Sequence, residues 1–230
     1  MKQINKYIVE RLHINKDINN HYYNYHPKTI DELKELLDKL IDERGDNANL
    51  NDIDTSEITI MDNMFAGSNF NGDISEWDVS NVEDMNYMFY ESSFTGENGD
   101  ISNWDVSNVK NMYYMFAESN FNGDISKWNV SNVESMDCMF TYSRFNGDIS
   151  KWNVSNVKDM GEMFYNSKFT GKNGDISNWD VSNVKDMIKM FAYSSFNGNI
   201  SNWNVSNVKN MNYMFAGTSL EKNPPKWYKK

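Results

Sequence analysis

Hydrophobic positions recur along this chain with a fixed spacing. The seven tryptophans follow one another at intervals of 24 or 27 residues, and seven Met-Phe pairs keep the same intervals. The repeated unit reads F-N-G-D-I-S-x-W-[DN]-V-S-N-V-x-x-M-x-x-M-F-x-x-S-x, and its six full copies begin at residues 70, 94, 121, 145, 169 and 196. A period of about 20 to 50 residues predicts a repeat architecture, in which each unit buries its apolar face only against its neighbours.

Within one copy the apolar positions change period, and this change predicts two kinds of local structure. The segment I-S-x-W-[DN]-V alternates apolar and polar residues as a short strand does, so Trp77 and Val79 should point inward and Glu76 and Asp78 outward. The spacing V-x-x-M-x-x-M-F places apolar side chains on one face of a helical or 3-10 turn. The two patterns together predict an α+β repeat solenoid, with short parallel strands on one face and short helical or 3-10 segments on the other.

The ends of the chain depart from the repeat, so the sequence divides into three parts. Solenoids commonly have atypical terminal units of this kind, because the last repeat at each end needs a cap. The predicted parts are a helical leader and N-terminal cap at 1–47, the repeats at 48–219 with a half repeat at 48–69, and a partial C-terminal capping repeat at 220–230.

The strongest helix signal in the leader covers residues 28–45. Thr29 and Glu32 form a capping box, and Gly45 provides the C-terminal stop. The apolar stripe of this helix is expected to cover the first repeat. An earlier amphipathic stretch predicts either a second capping helix or a short docking peptide, through Ile4, Tyr7, Ile8 and Leu12.

The segment W-D-V-S-N-V-x-x-M-x-x-M-F resembles the repeat of BspA-like leucine-rich-repeat proteins, and closely the bacterial surface-protein repeat of about 26 residues. The matching residues run from Leu50 to Trp227. The resemblance implies a leucine-rich-repeat-like solenoid and a binding or adhesive role without catalysis. Many such relatives are exported or lipid-anchored, whereas this chain shows no signal peptide and no lipobox cysteine near its start.

The repeats contain no candidate catalytic residues. All three histidines lie in the leader, at His13, His21 and His26, so the repeats lack the usual general base. The single cysteine, Cys138, excludes a disulfide framework and a cysteine-based zinc site, and its variable repeat position predicts an exposed free thiol. No phosphate-binding loop occurs. The sequence therefore predicts no enzymatic activity, no cofactor and no metal site.

Aspartates recur just before the predicted strand, and they suggest one further hypothesis. Repeated Asp beside Gly is typical of calcium-binding β-rolls, but those rolls have a much shorter period. The same side chains can accept hydrogen bonds from turn backbone, and we favour that role. The residues concerned are Asp73, Asp100, Asp124, Asp148 and Asp175, with Asn199 in the sixth copy.

Charge is distributed unevenly along the chain. Residues 48–120 carry 14 acidic residues against one lysine, whereas residues 121–219 carry nine of each sign, and residues 220–230 have a net charge of +3. The whole chain has a net charge of −11, which disfavours nucleic acid as a partner. A concentrated negative potential would instead steer a basic protein surface towards the first repeats.

The favoured function is a non-catalytic protein–protein interaction solenoid that binds a basic partner through its acidic N-terminal repeats. The candidate partner-binding residues are carboxylates of these repeats and tyrosines at variable positions, since tyrosine is enriched at interfaces. They are Glu76, Asp78, Glu83, Asp84, Tyr87, Asp105, Tyr113 and Tyr114.

The alternative function is a structural or adhesive surface module of a bacterium or phage particle. The sequence has no apolar run long enough to span a membrane. With no signal peptide, it favours a cytoplasmic or virion-associated protein over one at the cell surface. It does not indicate an oligomeric state.

Overall fold

The computed structural model describes residues 15–16 and 22–229, and little of this part is regular secondary structure. The α+β solenoid prediction is wrong, because the described repeats contain neither its strands nor its helical segments. The amphipathic stretch predicted at residues 4–12 lies outside the described residues. The described elements are β1 (Asn15–Lys16) and β2 (Tyr22–Tyr23), which pair antiparallel, α1 (Ile30–Arg44), and a 3-10 turn η1 (Ser219–Glu221).

The segment predicted as a strand is interrupted by two turns. The Asp73 carboxylate accepts hydrogen bonds from the backbone N–H and the hydroxyl of Ser75, at 3.0 and 2.7 Å. Asp78 accepts the same pair from Ser80, at 3.0 and 2.6 Å. Side-chain caps of this kind stabilise turns in competition with strand pairing. Only residues 77–79 lie between the two turns, and among the described residues none of them forms a β-bridge with another repeat.

The segment predicted as helical is also a series of turns. Tyr87 has a φ of 55° and Glu91 a φ of 51°, and the equivalent positions of the other repeats are positive as well. The N–H of Met88 donates to the carbonyl of Met85 at 3.3 Å, which closes a turn of four residues. Because a residue in the left-handed region interrupts a right-handed helix, the apolar spacing leads here to consecutive β-turns.

Consecutive repeats are joined by backbone hydrogen bonds in register. The N–H groups of Met85, Tyr87 and Phe89 donate to carbonyls of the next repeat at 2.8–3.0 Å. The repeats therefore stack in register, although each parallel pairing is a single bridge instead of a strand. One row of these bridges links Ile60, Asp84, Asn111, Ser135, Asp159, Asp186 and Asn210.

The interior of the stack is filled by aromatic rings and methionines. Phenylalanines of the Met-Phe pairs stack across repeats, with ring centroids 5.4–6.2 Å apart. Each tryptophan donates its Nε1–H to a carbonyl of the preceding repeat, as Trp128 does to Ile101 at 3.0 Å. The predicted inward positions are confirmed, since Trp77 and Val79 are buried while Glu76 and Asp78 are exposed.

The helix α1 confirms the helix predicted at residues 28–45. Thr29 Oγ1 accepts a hydrogen bond from the N–H of Glu32 at 3.2 Å, and Gly45 ends the helix with a φ of 86°. The buried residues of α1 belong to the same core cluster as the first repeat, so α1 covers that end of the stack. These residues are Leu33, Leu37 and Leu40.

Candidate interaction surface

The eight predicted partner-binding residues occupy different segments of the repeat. Glu76, Asp78 and Asp105 flank the buried tryptophans and are exposed. Asp78 and Asp105 also cap turns, since each carboxylate accepts a hydrogen bond from the backbone N–H two residues later, at 3.0 and 3.1 Å. Asparagines fill the same capping role in later repeats, at 3.2 Å. The negative charge of these aspartates is therefore not required by the turn.

Glu83 and Asp84 also have partners within the chain. Glu83 Oε2 lies 2.6 Å from Nζ of Lys110, in an exposed ion pair that offsets its charge. Asp84 is half-buried in the row of bridges, where it accepts hydrogen bonds from the N–H of Asn86 at 2.9 Å and from the side-chain amide of Asn111 at 3.4 Å. Both residues are less available to an external cation than the exposed Asp78.

The three predicted tyrosines form one cluster. Tyr87 stacks on Tyr114 with ring centroids 5.1 Å apart, and Tyr113 meets both rings edge-on at 5.2 and 4.5 Å. Tyr90, which was not among the predicted residues, joins the cluster at 5.7 Å from Tyr87 and 5.9 Å from Tyr114.

A second tyrosine cluster follows in later repeats, and none of its members was predicted. Tyr142 contacts Tyr165 at 5.4 Å, and Tyr165 contacts Tyr193 at 5.8 Å. Tyr142 is 49% exposed and Tyr193 is 59% exposed. Tyrosine recurs in the two positions that follow the Met-Phe pairs, and this recurrence in the sequence could have identified these residues.

We call this surface the tyrosine face, defined as the two residues between the paired methionines and the two residues after each Met-Phe pair, from Asn86 onwards. Its charged members are mostly acidic. They are Glu91, Glu118, Asp137, Glu162 and Lys189.

The lysine of the tyrosine face is held by a carboxylate and an aromatic ring. Lys189 Nζ lies 3.0 Å from Glu162 Oε1 and 5.5 Å from the ring centroid of Tyr165. A cation over an aromatic face is attracted by the ring quadrupole, and the nearby carboxylate adds to that attraction. The hydrogen bond to Glu162 is also the main reason that the pKa of Lys189 is raised.

Carboxylates of the tyrosine face and of the row of bridges lie close together in the middle of the stack. Burial raises the pKa of Asp137 to about 7, with a further contribution from the charge of Asp159. Burial is likewise the main reason that the pKa of Asp159 is raised. Glu162 and Asp186 add like-charge repulsion to Asp137.

A protein-family model described as "Mycoplasma protein of unknown function, DUF285" matches this chain in four overlapping segments, at residues 6–120, 33–144, 91–172 and 141–230. The chain belongs to this family. Searches of curated proteins and of solved structures found no significant match. The DUF285 assignment thus agrees with the prediction of a repeat protein and names no activity.

The structure corrects the prediction that Cys138 is exposed. Cys138 is a free cysteine as predicted, but it is only 4% exposed and burial raises the pKa of its thiol to about 12, so the predicted exposure is wrong. Its side chain is shorter than those of Tyr114, Glu162 and Lys189 at the equivalent positions, which are partly exposed. A thiol with a raised pKa is a poor nucleophile at neutral pH.

The hydrogen bonds of the recurring aspartates confirm their predicted role as acceptors for turn backbone. Asp124 and Asp148 each accept a hydrogen bond from the backbone N–H two residues later, at 2.9 Å. In residues 15–16 and 22–229, no three His, Cys, Asp or Glu side chains are grouped so as to hold a metal ion. No helix in that same part of the chain has the length and apolar content needed to cross a membrane.

Proposed function

We propose that this DUF285 chain is a non-catalytic binding protein whose acidic N-terminal repeats bind a basic surface of another protein. The observation that carries the proposal is the charge of residues 48–120, which hold 14 acidic residues and one lysine. A surface of one sign attracts partners of the other sign and accelerates their association.

The stacking of the repeats supports this proposal. Backbone hydrogen bonds join each repeat to the next, so the carboxylates are held at a regular spacing. A partner therefore meets a preorganised array and loses less conformational entropy on binding. The likeness of the repeat to BspA-like repeats supports a binding role as well, because that resemblance implies binding without catalysis.

The proposal is tested with an octa-arginine peptide and two variants of equal net charge. D78N/D105N/E91N/E118N neutralises four exposed carboxylates of the first two full repeats. N178K/N202K/D175N/D180N adds the same four charges in the later repeats. Every substitution uses a residue that another repeat already carries at that position, at Lys127, Asn129, Asn166 and Asn199.

We expect the first variant to weaken peptide binding about tenfold in isothermal titration calorimetry at 0.15 M salt, and the second about twofold or less. Equal weakening would show that the position of the charge is irrelevant, and would contradict the proposal. Absence of peptide binding together with binding to an oligosaccharide array would favour the adhesive module instead.

A further inference from the structure

The tyrosine face has a composition suited to binding cations. Eight of the 13 tyrosines of the chain lie on it, in two clusters and at Tyr213, which is 68% exposed. Tyrosine offers a rigid ring with a negative face and a polar tip, so it is favoured where proteins are bound. The eight residues are Tyr87, Tyr90, Tyr113, Tyr114, Tyr142, Tyr165, Tyr193 and Tyr213.

Carboxylates accompany these rings, while basic residues are scarce. Four of the five charged residues on the face are acidic. Within the described part of the chain, Glu91 and Glu118 make no ion pair with a lysine or arginine. Both are exposed. Glu91 follows Tyr90 directly, and its N–H donates to the carbonyl of Ala117 at 3.0 Å, which brings Glu118 alongside in the next repeat. The face therefore carries negative charge next to aromatic rings in the repeats where the chain is most acidic.

One position already shows how an amine is held on this face. Lys189 places its Nζ over the Tyr165 ring and against the Glu162 carboxylate, as described above. Tyr90 is the equivalent of Tyr165 in the first full repeat, and the position of Lys189 is taken there by Tyr114. The ring is thus present at Tyr90, but Tyr87 takes the position of Glu162. The carboxylates offered beside Tyr90 are therefore Glu91 and Glu118, at a different repeat position. Among the described residues, no lysine or arginine pairs with these two carboxylates.

We propose that the tyrosine face, centred on Tyr90, Glu91 and Glu118, is the docking surface for a lysine- or arginine-rich segment of the partner protein. This inference rests on the proposed function and adds the location and the mode of binding. Basic side chains of the segment stack over tyrosine rings and pair with the carboxylates beside them. Stacked repeats place equivalent groups at a regular spacing, so an extended basic segment can occupy several repeats at once.

The test divides the four-residue variant above into two matched halves. E91N/E118N and D78N/D105N change the same two repeats by the same two charges, but only E91N/E118N lies on the tyrosine face. Y90A leaves the charge unchanged, and alanine occupies the equivalent position at Ala66, Ala117, Ala192 and Ala216. Circular dichroism and thermal melting check that each variant remains folded, and octa-arginine is the probe.

We expect E91N/E118N and Y90A each to weaken octa-arginine binding at least about threefold at 0.15 M salt, and D78N/D105N to change it less than about 1.5-fold. Equal effects of the two charge variants would overturn the location and leave the proposed function intact. An unchanged affinity of Y90A would overturn the role of the rings. If the unmodified protein does not bind the peptide, both the docking surface and the proposed function fail.

Discussion

The two ends of the repeat stack are completed in different ways. At the N-terminal end α1 covers the first repeat, where Met61 and Phe65 are at most 1% exposed. At the C-terminal end Val208 and Met211 are only partly buried, although the equivalent residues one repeat earlier are fully buried. The last repeat thus lacks much of the cover that the first receives.

The backbone shows the same contrast. In earlier repeats this row of N–H groups donates to the next repeat, whereas the N–H groups of Met211, Tyr213 and Phe215 have no acceptor among the described residues. Gly217 is the exception, since its N–H donates to the carboxylate of Glu221 at 3.0 Å. A stack of near-identical units therefore depends on a chemically different unit at each end, and its opening should begin at the less covered one.

The largest expected effect comes from removing part of the N-terminal cap. Leu40→Ala empties a fully buried position of α1, and we expect a loss of about 3 kcal/mol in the free energy of unfolding, measured by urea denaturation. Leu220→Ala truncates a partly buried residue at the other end, and should cost about 1 kcal/mol or less. Equal losses would show that the two ends are covered equally well.

The tryptophans extend the comparison to the middle of the stack. Trp128→Phe removes the Nε1–H that satisfies the buried carbonyl of Ile101, and should cost about 2 kcal/mol. Trp227→Phe removes the equivalent bond to Ile200, but Trp227 is only partly buried and water can replace the bond. We expect a loss of about 1 kcal/mol or less there, measured in the same denaturation series. A similar cost at both positions would contradict an exposed C-terminal end.

The sequence predicts the stacking well because it depends on buried apolar side chains. Period and alternation place Trp77 and Val79 inside, and the helical spacing with its capping box locates α1. The local backbone is not predicted, because polar side chains and left-handed residues decide it. The Asp73 cap and the positive φ of Tyr87 have no counterpart in an apolar pattern, so a strand and a helix were expected where turns occur.

Part of the tyrosine face is predictable from the residues that vary between repeats. Tyr87, Tyr113 and Tyr114 stand out as variable residues, and the structure does bring their rings together. Tyr90 and Tyr165 are not found in this way, because only the turns of the backbone bring residues after a Met-Phe pair beside residues between the paired methionines. Without knowledge of these turns, the spacing does not show that the two sets of positions are neighbours.

The middle of the stack contains a half-buried carboxylate with a raised pKa, that of Asp137. Because its pKa is raised to about 7, the folded protein binds a proton that the unfolded chain has released, and stability falls as pH rises from about 4 to about 7. Asp137→Asn removes this titration, so the variant should be about 1 kcal/mol more stable than the unmodified protein at pH 8 and no more stable at pH 4. Thermal melting across this range measures the difference. Parallel pH profiles for the two proteins would contradict the raised pKa.

The smallest expected effect concerns the Gly217 amide at the C-terminal end, which Glu221 caps. Glu221→Gln keeps an oxygen acceptor for the Gly217 N–H but removes its charge, so global stability should change by about 0.5 kcal/mol or less. Amide hydrogen exchange is the more sensitive measurement, because it reports local opening. We expect faster exchange at Gly217 in the variant, with exchange at Phe116 in the middle of the stack unchanged. Faster exchange at both amides would mean that the stack opens as one unit, and the two ends would then not differ in local stability.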